Sequence, residues 1–332
     1  MPEIQISVQH LSKTYRVAVR PEGLKASIKS LARRTFNNVH AVQDINFTIE
    51  NGEIVGLIGP NGAGKTTTLK MLCGLLYPSS GQAQVAGFTP WERKHAYLRH
   101  INMVLGNKSQ MIWDIPPMDS FRVLGEIYNV PPAQLRKTLD ELIELLDMQE
   151  LLTKPVRNLS LGERMKCELV AGLLNRPDVM FLDEPTLGLD VSMQLRLRRV
   201  LAEYNRRSGV TILLTSHYMA DVMALCPRVI LIHHGRLLYD GELGALAQKM
   251  SPFKLLRITL GGENGNHSRI SEIPSGVEII EQEDNRLTLR VGRAEAPAVT
   301  AQLLQSLPVV DLTVEDPPIE AVIDQVYQEG DV

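Results

Sequence analysis

Short runs of apolar residues, each bounded by polar residues or by glycine, recur along the N-terminal part of the chain. Runs of this length are typical of buried strands. The four clearest runs, EIVGLIG, VMFLD, VTILLTSH and VILIHHG, are centred near Ile54, Phe181, Leu213 and Ile230. The segments between them have helical periodicity, and PAQLRKTLDELIELLDM has one apolar face made of Leu135, Leu139, Leu142, Ile143 and Leu146. Strands that alternate with helices predict a mainly parallel sheet covered on both faces.

Two other regions of the chain have different patterns. At the start, EIQISVQHLSKTY and VQDINFTIENG alternate apolar and polar residues, which predicts an antiparallel edge layer. After MSPF near Pro252 come KLLRITL, VEIIEQEDNRLTLRV, a helical APAVTAQLLQSL, then VVDLTVEDP and IEAVIDQVYQ. We therefore predict a main domain over residues 4–250 and a small α+β accessory domain over residues 251–332.

The composition excludes several classes of protein. With 332 residues, 44% hydrophobic and 22% charged, the chain is an ordinary globular protein. A net charge of −3 does not suit a protein that coats nucleic acid or an anionic membrane. The three scattered cysteines, Cys73, Cys167 and Cys226, predict buried thiols and no disulfide framework. Because no long apolar run or signal-peptide pattern occurs, we expect a soluble protein that reaches a membrane only through a partner.

The segment GPNGAGKT matches the phosphate-binding pattern G-x-x-x-x-G-K-[ST], and it lies between a predicted strand and a predicted helix. Gly62 and Gly64 would let backbone N–H groups point at phosphate oxygens, and the helix adds its positive end. Lys65 would neutralise the β and γ phosphates, and Thr66 would offer a hydroxyl to Mg²⁺. A glycine-rich turn that matches by chance is the alternative, which the strand and the helix argue against. The predicted ATP-binding residues here are Gly59, Pro60, Asn61, Gly62, Ala63, Gly64, Lys65, Thr66 and Thr67.

The run VMFLDEP places two carboxylates at the end of a buried strand. Asp183 is suited to hold Mg²⁺, and Glu184 is suited to polarise an attacking water as a general base. A strand that runs into a solvated turn would have the same sequence. The phosphate-binding segment in the same chain favours the functional interpretation.

Four motifs in this order, GPNGAGKTT, LSLGERMKCELV, FLDEPTLGLD and LLTSHY, resemble those of the ATP-binding subunits of ABC transporters, over about residues 4–250. The resemblance implies an α/β fold: a P-loop NTPase cassette with a RecA-like parallel sheet core, an antiparallel β edge layer and a helical subdomain over about residues 90–175. It also implies ATP and Mg²⁺ as cofactors. Finally, it implies a homodimer, a second copy of the chain closing two composite ATP sites.

The resemblance assigns roles to further residues. Tyr15 is similar to the aromatic residue that stacks on adenine, although an edge-strand tyrosine is the plain alternative. Asp190 resembles the loop residue that connects the two ATP sites. His217 resembles the switch histidine that holds the γ-phosphate and the catalytic water. A lone histidine is more often only a satisfied polar residue, but this one ends a predicted core strand.

The signature segment departs from the common LSGGQ form at two positions. Ser160 and Gly162 keep the groups that, in the family, contact the γ-phosphate held by the other subunit. Leu161 replaces a glycine, and Glu163 replaces the glutamine. ATP capture should therefore survive, while the role of the missing amide is in question.

Three features narrow the family to ABC-2 type exporters of the daunorubicin-resistance-like group. A basic insertion over residues 16–39 resembles insertions in exporter ATPases, and it has six basic residues, Arg16, Arg20, Lys25, Lys29, Arg33 and Arg34. With Leu24, Ile28 and Leu31 at helical spacing, it is either a solvated helix or a basic amphipathic helix near lipid headgroups. The loop GNKSQMIWDIPPMDSF and the closing VEDPPIEAVIDQVYQ also resemble segments of that group.

In the family, the loop after the strand near Val104 supplies a glutamine that contacts Mg²⁺ and the attacking water. Register from WDIP puts Asn107 in that position, and Gln110 is the alternative. Both amides offer a carbonyl oxygen to the metal. Asn107 is shorter by one carbon–carbon bond, about 1.5 Å, so the loop must lie closer or a water must bridge.

The predicted function is an ATPase motor that drives export through separate integral membrane permease subunits of ABC-2 type, at the cytoplasmic face of the inner membrane. The alternative is a soluble ABC ATPase that acts on nucleic acid or ribosomes. It is disfavoured because the chain has one cassette and no long insertion before its signature, so we expect no nucleic acid partner. A module with inactive chemistry is disfavoured by Lys65, Asp183, Glu184 and His217. The cargo and the role of the C-terminal domain are left open.

Overall fold

The computed structural model describes residues 3–18, 36–106, 108–216, 218–250, 253–261 and 277–330. The chain divides into two compact units, Met1–Leu243 and Gly244–Val332. The strands are β1 Ile4–Ala18, β2 Phe36–Glu50, β3 Ile54–Ile58, β4 Ser80–Val85, β5 Ile101–Leu105, β6 Val179–Asp183, β7 Thr211–Thr215, β8 Arg228–His233, β9 Arg236–Glu242, β10 Phe253–Leu260, β11 Glu278–Glu283, β12 Arg286–Gly292 and β13 Val309–Glu315.

The helices of the described part of the chain are α1 Lys65–Leu72, α2 His95–His100, α3 Pro117–Ile127, α4 Pro132–Leu146, α5 Leu161–Leu173, α6 Val191–Ser208, α7 Met219–Leu225, α8 Leu243–Met250, α9 Ala296–Ser306 and α10 Ile319–Gly330. Short 3₁₀ turns cover Pro90–Glu92, Gln149–Leu151 and Val156–Asn158. None of these helices is both long enough and apolar enough to cross a lipid bilayer.

A six-stranded sheet with the order β5-β6-β7-β3-β8-β9 forms the centre of the first unit. The first five strands of this order are parallel to their neighbours, and β9 is antiparallel to β8. The four apolar runs of the sequence are β3, β6, β7 and β8, so the predicted parallel core is confirmed. Because β3, β7 and β6 are adjacent and parallel, the segments that follow these three strands emerge at one edge of the sheet.

The other parts of the predicted fold are also present. β1 pairs antiparallel with β2 and with β4, which confirms the edge layer. One buried cluster joins this layer to the central sheet, with Ile6, Leu11 and Ile45 packed together with Leu57 and Phe181. The stretch 90–175 contains β5, a strand of the central sheet, and its longer helices α3, α4 and α5 follow that strand.

The second unit has an antiparallel sheet with the order β11-β12-β10-β13. One face of this sheet is buried with α9, and the buried side chains include Leu256, Ile258, Leu289 and Leu303. Along β12, buried residues alternate with more exposed ones, as expected for an antiparallel sheet covered on one side. This confirms the small α+β domain that the sequence predicts.

The cysteines are free and buried, as predicted. Burial raises the pKa of Cys73 to about 11 and that of Cys167 to about 12, because the apolar surroundings disfavour the thiolate. These thiols are therefore protonated near neutral pH and act as small apolar side chains.

Candidate functional site

The phosphate-binding segment connects the end of β3 to the start of α1 and requires its glycines. Gly64 has a φ of +108°, and a Cβ there would lie 2.4 Å from the Ala41 carbonyl oxygen. A Cβ on Gly59 would lie 2.2 Å from the carbonyl oxygen of Ile232. Because the backbone passes this close to neighbouring strands, a larger residue would displace the segment.

Lys65 begins α1 and is buried, with 5% of its surface exposed. Its Nζ donates hydrogen bonds of 2.6 Å to the Gly59 carbonyl and 3.0 Å to the Pro60 carbonyl. Burial lowers the pKa of Lys65, while the negative charges of Glu184 and Asp183 act in the opposite direction. The ammonium group thus lies inside the predicted phosphate loop, beside two carboxylates.

Asp183 ends β6, and one of its oxygens binds two neighbouring elements, α1 and β7. Its Oδ1 accepts a hydrogen bond of 3.0 Å from the Thr66 hydroxyl on α1 and one of 2.7 Å from the Thr215 hydroxyl on β7. The hydroxyl and carboxylate oxygens are hard donors of the kind that Mg²⁺ prefers. Among the described residues, no three His, Cys, Asp or Glu side chains gather into a metal-binding group.

Glu184 follows Asp183 in a left-handed conformation, with a φ of +52°. Its backbone N–H donates to both the carbonyl and the hydroxyl of Thr215, each at 3.1 Å. A glutamate in this region of φ/ψ space is strained and must be held by its surroundings. Thr215 therefore holds the side chain of Asp183 and the backbone of Glu184.

One cavity brings several predicted residues together. Its lining consists of Thr66, Lys70, Leu105, Gly106, Lys108, Asp183, Glu184 and Leu187. The residues from the phosphate segment, from the end of β6 and from the loop after β5 thus face one space. A Cβ on Gly106 would lie 2.4 Å from the Glu184 carbonyl oxygen, so glycine permits this close approach.

Asn107 and His217, two of the predicted site residues, lie outside the described residues. The two chain neighbours of Asn107, Gly106 and Lys108, line the cavity. The alternative amide, Gln110, is bound elsewhere: its Nε2 donates 3.0 Å to the Met103 carbonyl, and its Oε1 accepts from the Tyr128 hydroxyl at 3.4 Å.

The loop after β5 is also held by Glu168, a carboxylate of α5 with 4% exposure. The Gln110 N–H donates to its Oε2 at 3.0 Å, and the Ser109 hydroxyl donates to its Oε1. Burial raises the pKa of Glu168, and the hydrogen bonds from Ser109 and Gln110 partly oppose that shift. The loop and the helix of the signature segment are therefore tied together.

The signature segment forms the start of α5. Ser160 is the N-cap of this helix, and its hydroxyl accepts from the Glu163 N–H at 3.3 Å. In return, the Ser160 N–H donates to Glu163 Oε2 at 2.7 Å, which completes a capping box and lowers the pKa of Glu163. Leu161 is exposed, and Gly162 lies against Met193. Of the described residues, Ser160, Leu161, Gly162 and Glu163 do not line the cavity around Asp183.

The two remaining predicted residues lie on other elements. Asp190 is the N-cap of α6, and its Oδ1 accepts from the Met193 N–H at 2.9 Å. Tyr15 lies on β1, opposite Val39 of β2, and is 37% exposed. The ammonium of Lys13 lies 5.3 Å from the centre of its ring. Of the basic insertion, Arg16 to Ala18 and the stretch from Phe36 pair as extensions of β1 and β2, and the rest lies outside the described residues.

Thr215 and Glu168 are site residues that sequence reasoning missed. Thr215 has one signal in the sequence: it is a hydroxyl residue at the end of a buried strand, immediately before Ser216 and His217. The buried Glu168 lies on the same helix as Glu163, but the sequence alone does not indicate that it binds a loop near Ser109. What each residue binds is known only from the structure.

The sequence and the fold were compared with those of known proteins. The sequence model of a family described as "ABC transporter" matches residues 42–187, and one described as "EvrA-like ABC transporter, C-terminal domain" matches residues 252–315. The ABC transporter ATP-binding protein NatA of Bacillus subtilis is 34% identical over 63% of this chain and 84% of its own length. The Nod factor export ATP-binding protein I of Ralstonia nicotianae is 34% identical over 65% of this chain and 66% of its own.

Further comparisons extend the likeness. The doxorubicin resistance ATP-binding protein DrrA of Mycobacterium tuberculosis is 32% identical over 65% of this chain and 66% of its own length. A solved ATP-binding subunit of an ABC transporter aligns with a TM-score of 0.62 at 25% identity, over 74% of this chain and 92% of that one. A dimeric ATP-binding cassette bound to ADP and Pi shares the fold, with a TM-score of 0.58 at 20% identity over 71% and 98%. The chain therefore belongs to the family of ABC transporter ATPases.

Proposed function

We propose that this chain is the ATP-hydrolysing motor subunit of an ABC-2 type exporter. In this proposal two copies dimerise around two ATP–Mg²⁺ sites and drive substrate export through separate membrane subunits. The observation that carries the proposal is the cavity at the ends of β5 and β6. There a hydroxyl and a carboxylate suited to Mg²⁺, Thr66 and Asp183, lie beside Glu184, a carboxylate suited to general-base work.

In the proposed site the protein binds the triphosphate through its backbone and Lys65. The N–H groups of residues 59–67 and the start of α1 would surround the phosphates, and Lys65 would exchange its carbonyl contacts for phosphate oxygens. Tyr15 offers an exposed ring for adenine stacking. Thr66 and Asp183 would hold Mg²⁺, with Asn107 as a further oxygen ligand, and the bound ion would neutralise charge on the β and γ phosphates.

Hydrolysis needs a group that takes a proton from water. Glu184 is our candidate for this general base, and His217 is the candidate that holds the γ-phosphate and the water in place. The strained backbone at Glu184, fixed by Thr215, supports a residue held in one orientation. Such preorganisation lowers the cost of arranging the reacting groups.

The position of the signature segment supports the proposed dimer. Ser160 and Leu161 are exposed at the start of α5. In the head-to-tail arrangement, the positive end of this helix would approach the γ-phosphate bound by the second copy, and Asp190 would lie between the two sites. The fold shared with a dimeric cassette bound to ADP and Pi is consistent with this arrangement.

The proposal of export rests on the relatives, whose names include Nod factor export and doxorubicin resistance. The C-terminal match to an EvrA-like ABC transporter domain supports the same assignment. We propose that residues 4–250 bind ATP, that residues 251–332 form the accessory domain, and that permease subunits of ABC-2 type hold the chain at the cytoplasmic face of the membrane. The competing function, work on nucleic acid or ribosomes, has no such support.

A hydrolysis assay tests the ATPase part of the proposal. We expect Glu184→Gln to lower the rate of phosphate release by about a hundredfold or more and to leave ATP binding intact. Light scattering should then show an ATP-dependent dimer that persists in this variant. Glu126→Gln, an exposed glutamate of α3, is the control. Undiminished turnover in Glu184→Gln would remove Glu184 from the mechanism.

A second experiment tests the exporter part. Membranes are extracted with detergent, and tagged full-length chain is recovered with its partners. We expect an integral membrane protein in fixed ratio, and reconstitution with it should change the ATPase rate. Recovery of ribosomes or nucleic acid without any membrane protein would contradict the exporter assignment.

A further inference from the structure

A buried carboxylate outside the cavity accepts hydrogen bonds from three different segments. Asp221 of α7 has 1% of its surface exposed. Its Oδ1 accepts from Arg198 Nε at 2.6 Å, and its Oδ2 accepts from the Ser216 hydroxyl at 2.9 Å and from the Thr186 hydroxyl. The pair with Arg198 is itself largely buried, with side-chain exposures of 12% and 2%.

Each donor belongs to a segment that contains a proposed site residue. Thr186 comes two residues after Glu184, in a turn closed by the bond from the Leu187 N–H to the Glu184 carbonyl at 3.2 Å. The segment continues toward Asp190, because the Leu189 N–H donates to the Thr186 carbonyl at 3.1 Å. One side chain of Asp221 thus holds the turn that follows the candidate general base.

The second donor, Ser216, directly precedes His217. The Ser216 hydroxyl also accepts from the Tyr218 N–H at 3.0 Å, so a hydrogen bond connects the two chain neighbours of position 217. Arg198, the third donor, lies on α6, whose N-cap is Asp190. Asp221 therefore connects the backbone next to the switch histidine with the turn after Glu184 and with the helix after Asp190.

The cost of burying a carboxylate indicates that this network fixes the relative positions of the three segments, rather than adding stability. A buried carboxylate is costly unless it is paired and hydrogen-bonded, and apolar side chains often give equal stability. Satisfied networks of this kind fix one arrangement of the groups that they connect, since moving any donor leaves a buried charge partly unsatisfied. Three segments held by one carboxylate cannot shift independently.

We infer that Asp221 is a positioning residue for ATP hydrolysis, which holds the turn after Glu184, the two chain neighbours of His217 and the helix after Asp190 in one relative geometry. The inference rests on the proposed function, in which these three residues act. Asp221 is not one of the described residues that line the cavity around Asp183. It therefore acts through Thr186 and Ser216.

The test removes one donor at a time and leaves the carboxylate in place. In the full-length chain, we expect Thr186→Val and Ser216→Ala each to lower kcat for ATP by about tenfold, with little change in KM or in nucleotide affinity. Thr186→Ser keeps a hydroxyl and should restore most of the rate. Asp221→Asn should lower kcat at least as much as either single variant.

The control is Asp240→Asn, which breaks another arginine–aspartate pair of the same unit, to Arg228 at 2.8 Å. A purely structural role for Asp221 predicts that Asp221→Asn and Asp240→Asn both lower Tm and both leave kcat unchanged. A loss of kcat confined to the Asp221 network, in variants that keep the wild-type circular dichroism spectrum, supports positioning. Thr186→Val and Ser216→Ala each remove only one hydroxyl. Their kcat values therefore test the inference even if Asp221→Asn does not fold.

The outcomes separate this inference from the proposed function. A wild-type chain that hydrolyses ATP, with unchanged kcat in Thr186→Val and Ser216→Ala, would overturn the positioning role and leave the ATPase motor intact. A wild-type chain that binds ATP without hydrolysing it would remove the proposed function, and this inference with it.

Discussion

The hydroxyl of Thr215 donates a hydrogen bond of 2.7 Å to Asp183 Oδ1, and the two residues are also partners across the parallel strands β7 and β6. The same threonine accepts, on its side chain and on its carbonyl, the N–H of Glu184. One strand-end residue thus orients the carboxylate proposed for Mg²⁺ and the backbone of the proposed general base.

We expect Thr215→Val to reduce both stability and Mg²⁺-dependent turnover. The replacement keeps the shape of the side chain and leaves a carboxylate oxygen and an amide short of one partner, at a cost of about 1–3 kcal/mol in the free energy of unfolding. Urea denaturation measures this loss, and the Mg²⁺ concentration for half-maximal ATPase activity should rise. Thr313→Val, on an exposed strand position of the second unit, is the control. An unchanged Mg²⁺ dependence would contradict the orienting role of Thr215.

The capping box at the signature segment predicts a pH effect. The Ser160 N–H holds the pKa of Glu163 below its ordinary value of 4.5. A lowered pKa in the folded state means that this contribution to stability is present above 4.5 and is lost as pH falls through the lowered pKa. The stability difference between the wild type and Glu163→Gln should therefore shrink on acidification. A difference that does not vary with pH would show that the carboxylate charge is irrelevant to the cap.

Glu168 predicts a pH effect of the opposite sign. Burial raises its pKa above the ordinary value of 4.5, so the folded state binds the proton more tightly than the unfolded state. Its contribution to stability is present below 4.5 and is lost as pH rises through the raised pKa. As pH rises through this raised pKa, we expect the wild type to lose stability relative to Glu168→Gln. Denaturation curves recorded across the pH range measure this difference. Parallel curves for the two proteins would contradict the prediction.

One experiment should show which of the two candidate amides in the loop after β5 contacts Mg²⁺. Gln110 binds the Met103 carbonyl and the Tyr128 hydroxyl, so Gln110→Ala should lower Tm. Asn107 is our candidate for the amide that contacts Mg²⁺, so Asn107→Ala should lower ATPase activity and leave Tm near that of the wild type. Unchanged activity in Asn107→Ala, together with an Mg²⁺ defect in Gln110→Ala, would reverse the assignment.

Much of the fold and of the phosphate segment follows from local sequence. The apolar runs are long enough and regular enough to predict β3, β6, β7 and β8, because strands buried on both faces need continuous apolar side chains. The segment from Gly59 to Thr66 is contiguous, so its function needs no distant partner to be recognised. Asp183 and Glu184 are likewise adjacent, and Asp183 is the last residue of β6.

The tertiary structure decided which other side chains support these residues. Asp183 and Thr215 meet only because β6 and β7 are neighbours in register, and a shift of one residue would turn the hydroxyl away. Glu168 binds the loop of Ser109, and Asp221 binds Thr186 and Arg198, across separations that no local pattern encodes. Hydrogen bonds between distant segments depend on distances of a few tenths of an ångström, and packing of the whole unit sets those distances.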